Sequence, residues 1–150
     1  MMDIHSLQML GAYGFLGTVF ADFEKNKVSV DVLASSEVSV SVTLDKKQRN
    51  NDIEALCDDL RKFADVELHT ERAILTLIAD VGRSSDVLAT VFRSFSAHGI
   101  AVEMMSQGAS KVNISFVVKE DQIDDAILKL HSCFFEGSCN AGMAEGGQLF

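Results

Sequence analysis

No proline occurs anywhere in this sequence, and none of its apolar runs is long. With 47% hydrophobic and 23% charged residues, the proline-free chain has the profile of a packed protein and not of a disordered one. The longest apolar stretch, AILTLIA at 73 to 79, falls far short of the roughly 20 residues that cross a bilayer, and no basic segment followed by an apolar one stands near Met1. A cytoplasmic protein or a mature organellar domain is expected, with no membrane partner. Basic residues are also scarce, 13 against 22 acidic ones, for a formal net charge of −9. A surface that tracks phosphates would work against that field, so nucleic acid is not an expected partner. Cysteine is limited to Cys57, Cys133 and Cys139, an odd set without CxxC spacing. His5, His69, His98 and His131 show no paired-ligand spacing on one helix. No metal site and no disulfide framework is expected. Cys57 reads as a core residue, Cys133 as a helix-end residue and the histidines as surface residues.

What is present is periodic. Phe15, Leu16, Val19, Phe20 and Phe23 recur at three- and four-residue spacings, which puts one apolar face on a helix of about three turns. Val28, Val30 and Val32 alternate with Ser29, Asp31 and Leu33, and after a Ser35–Ser36 turn Val38, Val40 and Val42 alternate with Ser39, Ser41 and Thr43. Two paired strands, each with a valine face, are predicted. Ile53, Leu56, Cys57, Leu60 and Phe63 mark a second helix with Asp52 as its cap, and DVELHTE at 65 to 71 an edge strand.

The order then recurs. AILTLIAD is a strand, Leu88, Val91, Phe92 and Phe95 a helical stripe, GIAVEMM and KVNISFVV a strand pair, and Ile123, Ala126, Ile127 and Leu130 a last helix. Val19, Phe20 and Phe23 reappear 72 residues later as Val91, Phe92 and Phe95, the mark of an internal repeat. Each half reads as the split βαβ pattern, an α+β fold whose antiparallel sheet carries both helices on one face. The expected organisation is a first domain over 2–71, a second over 72–136 without a clear final strand, and a glycine-rich flexible tail over 137–150. A sheet with an open edge invites another strand, so the chain reads as a piece of something longer.

Two stretches go beyond generic patterning. MLGAYGFLGTVFADFEKNKVSVDVLASSEVSVSVTLD (9 to 45) and MSQGASKVNISFVV (105 to 118), with HSCFFE at 131 to 136, closely resemble the C-terminal regulatory region of aspartate kinases of the lysine-sensitive, plant and bacterial kind. That region is a tandem of ACT domains, ferredoxin-like (βαββαβ) modules that bind amino acids. The resemblance covers roughly residues 2 to 136 and excludes the catalytic part: nothing here offers a phosphate-binding loop or a kinase lysine, so no catalytic residue is expected. In that family a segment ahead of the first module completes the sheet of the second.

Asp31 and Glu37 raise a question of their own, since two carboxylates among valines and serines repel unless a cation lies between them. Free L-lysine has two ammonium groups for such acceptors and a carboxylate for a helix N-terminus, which Gly14, Phe15 and Leu16 open after a turn with glycines at 11 and 14. The resemblance agrees, because it implies an effector held between two first modules from different subunits of a homodimer. Carried over position by position, Met9, Gly11, Ala12, Gly14, Phe15 and Leu16 form the turn and helix start. Ser29, Val30 and Asp31 lie on the strand, and Ser35, Ser36 and Glu37 at the following turn. Met9 would cover the methylene chain. Ala12 departs from the family, which usually has a polar residue there, and it makes no side-chain hydrogen bond. Gln107, Gly108 and Lys111 repeat the turn in the second half with a cation where the first has Glu37, and are assigned to packing or relay.

The resemblance thus implies a regulatory module without cofactor or kinase activity of its own. It would partner the aspartate kinase catalytic domain, in the cytoplasm or, for a plant or algal chain, in the plastid stroma. Threonine or S-adenosylmethionine as effector, a binding-silent dimerisation module, and a free-standing regulator acting in trans are the alternatives.

Overall fold

The computed structural model describes residues 1–7, 13–45, 48–79, 81–107 and 113–136. The chain divides into two compact units, Met1–Arg72 and Ala73–Phe150.

The first unit runs β1 (Met2–Ser6), α1 (Phe15–Lys25), β2 (Val30–Ser35), β3 (Ser39–Leu44), α2 (Asn50–Leu60) and β4 (Ala64–Leu68). Its sheet has the order β2-β3-β1-β4. Ile4 on the central β1 stands opposite Val40 of β3 and Val66 of β4, both antiparallel. The period-two pattern of β1 and β3 puts Met2, Ile4, Val40 and Val42 on one face, all fully buried. Phe15, Val19 and Phe23 of α1 and Leu56, Cys57 and Leu60 of α2 pack onto them, so both helices cover that same face. Each such side chain contributes about 1.5–3 kcal/mol by leaving water.

The second unit contains β5 (Arg72–Ile78), α3 (Ser84–Ala97), β6 (Met104–Ser106), β7 (Asn113–Lys119) and α4 (Ile123–Phe135), with sheet order β5-β7-β6. Its core joins Val91 and Phe95 of α3, Ile114, Phe116 and Val118 of β7, and Ala126 and Leu130 of α4. Phe116 takes Phe95 and Phe92 edge-on, with ring centroids 5.9 and 6.0 Å away. Among the described residues no strand pairs with the outer edge of β5, the edge that β4 occupies beside β1 in the first unit. Both units have the α+β ferredoxin-like architecture, with antiparallel sheets.

The repeat extends to single hydrogen bonds. α1 ends with Asn26 as cap, where Val28 N–H donates to Phe23 O and Lys27 N–H to Glu24 O. α3 ends with His98 as cap, where Ile100 N–H donates to Phe95 O and Gly99 N–H to Ser96 O. Both are Schellman endings, with a left-handed residue after the cap: Lys27 at φ 56° and Gly99 at φ 66°. In both, a cap side chain meets a carbonyl one turn back, Asn26 Nδ2 donating to Asp22 O at 2.9 Å and His98 Nδ1 lying 2.8 Å from Ser94 O.

Several expectations need correction. The valine alternation of the second strand breaks. Val30 pairs with Leu44 but Leu33 with Val42, so Asp31 and Val32 together stand opposite Thr43 in a β-bulge. The Val32 N–H that the bulge removes from the ladder donates instead to Thr43 Oγ1, 2.9 Å away, and the Thr43 side chain is buried with it. Asp52 lies inside the first turn of α2, and the cap position is Arg49, without a side-chain bond. Leu16, Phe92 and Ile127, counted into helical core stripes, are 38%, 43% and 47% exposed. Of GIAVEMM only Met104 and Met105 belong to a strand, which runs on to Ser106. His69 is no lone surface histidine, because its Nε2 lies 2.9 Å from Asp3 Oδ2. Cys57 is a free, buried thiol whose pKa burial raises, whereas Cys133 is disulfide-bonded.

Candidate functional site

β1 and β2 both run antiparallel to β3, so their C-terminal ends lie at the same end of the first sheet. Ser6 N–H donates to Val38 O at 2.8 Å, which ties the end of β1 to the β2–β3 turn. Phe63 ties the start of α1 to that same end, because its carbonyl accepts from Leu7 N–H while its ring lies edge-on to Phe15, 6.3 Å between centroids. Gly14, Phe15, Leu16, Ser35, Ser36 and Glu37 are therefore gathered at one end of the unit. Met9, Gly11 and Ala12 lie outside the described residues.

Within that group the roles differ. Gly14 caps α1 in the left-handed conformation (φ 89°), with no side-chain cap bond and no acidic residue in the first turn. The opening N–H groups of this 11-residue helix thus lack the side-chain acceptor that usually serves them. Phe15 is buried and Leu16 exposed, so the Phe15 side chain belongs to the core and not to an outward-facing site. Ser36 Oγ accepts from the Ser39 and Val38 N–H groups and bonds Ser39 Oγ at 2.6 Å, which commits it to the turn. Ser35 and Glu37 are exposed beside it.

Ser29, Val30 and Asp31 sit at the opposite end of β2. Val30 is half-buried against the core, and Ser29 and Asp31 are exposed. From Asp31 to Ser35 a strand advances about 13 Å. Glu37 lies beyond that, in the turn and not on an adjacent strand, so one copy of the chain does not bring the two carboxylates around a single ammonium. β2 is an edge of the sheet, and Asp31 occupies the bulge in that edge.

The second unit differs at the matching helix start, although neither helix has a side-chain cap bond. Thr90 Oγ1 donates to Asp86 O as Thr18 Oγ1 does to Gly14 O, so Asp86 stands where the first unit has Gly14. α3, however, starts three residues earlier, at Ser84, and carries Asp86 in its first turn, where it accepts from Arg83 at 3.3 Å. A carboxylate of the chain itself already lies at that terminus. Gln107 is exposed, and Gly108 and Lys111 lie outside the described residues.

One cluster at the far end of α1 went unnoticed in the sequence. Asp59 of α2 accepts from Lys25 Nζ at 2.7 Å and from the cap Asn26 Nδ2 at 3.0 Å, and also from Lys62. The Lys25 bond first, then those of Lys62 and Asn26, hold its carboxyl well below the usual range. Among the described residues, no group of three His, Cys, Asp or Glu is arranged to hold a metal ion. Nor is any helix long and apolar enough to cross a membrane.

Comparison with known proteins completes the picture. The ACT domain profile matches residues 79–134. Aspartokinase 2, chloroplastic, of Arabidopsis thaliana is 47% identical over 144 residues, covering 91% of this chain and 26% of that protein. Escherichia coli aspartokinase III, crystallised with lysine and aspartate in its T-state, superposes with a TM-score of 0.74 at 30% identity, over 89% of this chain and 30% of that one. The ligand-free regulatory subunit of aspartate kinase from Thermus thermophilus gives 0.74 at 20% identity over 89% of this chain and 90% of its own, a likeness of fold. The chain spans about a quarter of the curated relative it matches. Its second unit matches the ACT domain, and the chain is homologous to the C-terminal regulatory part of aspartokinases.

Proposed function

We propose that this chain is the effector-binding regulatory module of an aspartate kinase and binds L-lysine at an interface between two copies of its first unit. The observation that carries the reading is the start of α1: a helix N-terminus behind a left-handed Gly14 with no acidic residue in its first turn, where the repeat copy carries Asp86. An α-carboxylate suits the opening N–H groups and the positive end of the helix. Lysine adds two ammonium groups, and Asp31 and Glu37 are two exposed carboxylates on and beside β2.

Their separation explains why two copies are needed. If two β2 edges meet antiparallel about a two-fold axis near Leu33, Asp31 comes opposite the partner's Ser35, next to the partner's Glu37 and helix start. Each of the two equivalent sites then has one Asp31 and one Glu37, from different protomers. The E. coli relative was crystallised with lysine, which supports the same ligand. The chain has no kinase activity of its own in this reading, uses no cofactor, and regulates the catalytic part of an aspartate kinase, in plastid stroma for a plant or algal source.

Lysine regulates by binding the inhibited arrangement more tightly. Moving an enzyme from 1:99 to 99:1 takes about 5.5 kcal/mol of differential binding, roughly half from each of two sites. Calorimetric titration of the purified chain with L-lysine, L-threonine and S-adenosylmethionine, each separately, tests the proposal. Saturable lysine heat, lost in Asp31→Ala, is expected. Flat traces from a folded dimer would instead make the chain a dimerisation module, and heat with threonine or S-adenosylmethionine alone would change the effector.

A further inference from the structure

The outer face of α4 carries apolar side chains that the core does not use. Ala126 and Leu130 are buried, whereas around the helix Ile127, Leu128 and Phe135 are 47%, 65% and 78% exposed, and the His131 ring lies against Phe135 at 4.9 Å. Positions i, i+1, i+4 and i+8 make one stripe along the helix. The first unit is an internal control. Matching the core residues Leu56 and Leu60 of α2 to Ala126 and Leu130 of α4 puts Asp58 and Arg61 where α4 has Leu128 and His131. Asp58 and Arg61 form a solvent-exposed ion pair at 3.6 Å. The same fold thus closes with a charged outer helix face, and Leu128 and Phe135 answer to something other than folding.

We infer that the outer face of α4 docks onto the part of an aspartokinase polypeptide that this chain does not span. Two observations select that occupant over a second copy. The chain covers only 26% of its Arabidopsis relative, so the polypeptide on which such a module acts lies outside this structure. Asp124, Asp125 and Glu136 rim the stripe, with Lys129 beside them, so two copies of α4 would bring like charges together, whereas an apolar groove edged by lysine or arginine complements it. The inference rests on the homology and is independent of the lysine reading.

The test mixes the full chain with the complementary part of Arabidopsis thaliana aspartokinase 2, its folding checked by circular dichroism, and follows association by sedimentation velocity. A complex is expected with the wild-type chain. Leu128→Asp, at a position whose counterpart Asp58 the fold already accepts, weakens it tenfold or more with an unchanged melting temperature, and Phe135→Asp does the same. Three results overturn the inference: no complex with a folded kinase part, equal binding by both variants, or a loss of the chain's self-association in the variants, which assigns the face to a second copy.

Discussion

Lys27 and Gly99 hold the same place in two copies of one helix ending, and only one of them suits it. A left-handed φ costs a side chain with a Cβ roughly 1–2 kcal/mol and costs glycine nothing comparable. Lys27→Gly should therefore stabilise the first unit by about 0.5–1 kcal/mol, after glycine's extra freedom in the unfolded chain is deducted. Gly99→Ala should destabilise the second by about 1 kcal/mol; no atom lies within 4 Å of the added Cβ, so the penalty is conformational alone. Urea titration of both variants checks the pair, and opposite signs are the signature. At this scale the sequence was informative about identity and poor about neighbours. Asp31 and Glu37 stood out because carboxylates are unexpected among valines. The turn at Ser35, Ser36 and Glu37 was legible too; that it stands a whole strand away from Asp31, too far to share one ammonium within one copy, was not drawn from it.

The bulge in β2 places Asp31 on its edge strand, and it rests on one hydroxyl. Thr43→Val keeps the shape but leaves the Val32 N–H without its acceptor, which should cost about 1–3 kcal/mol in a melt. The readable sign was the apolar neighbour pair Val32–Leu33, where strict alternation fails. α1, whose start is the proposed carboxylate site, is held at its other end by Asp59. That carboxyl titrates lower in the folded protein than in the unfolded chain, so its contribution is complete above the unfolded value of about 4 and fades as pH falls towards the folded one. Asp59→Asn should lower the melting temperature near neutral pH, and the gap to wild type should narrow as pH is brought down to about 2. A constant gap would mean that Asp59 acts through shape and not charge. Helices were predictable because their stripes are local, but their faces were overcounted: Leu16, Phe92 and Ile127 are apolar yet only partly covered, and periodicity cannot separate a core face from an outer one when both are apolar.

Two cores, one per unit, explain how a 150-residue chain carries one pattern twice. The repeat was visible as a 72-residue offset and is exact enough to align capping bonds, so the architecture followed from sequence once each half was recognised as a split βαβ unit. The sequence separated the halves by Lys111 against Glu37, but not by their helix starts, where α3 carries Asp86 in its first turn and α1 has no acidic residue. Nor can the periodicity of one chain show which residues meet across a two-fold axis. The central claim is that Asp31 and Glu37 serve one lysine from different protomers, and subunit mixing tests it directly. Asp31→Ala and Glu37→Ala chains should each fail to bind L-lysine by calorimetry. Unfolded together and refolded as mixed dimers, they should regain binding at one site per mixed dimer, because one of the two sites then keeps both carboxylates. Mixed dimers as silent as either parent would contradict the shared site and place both residues' action within a single chain.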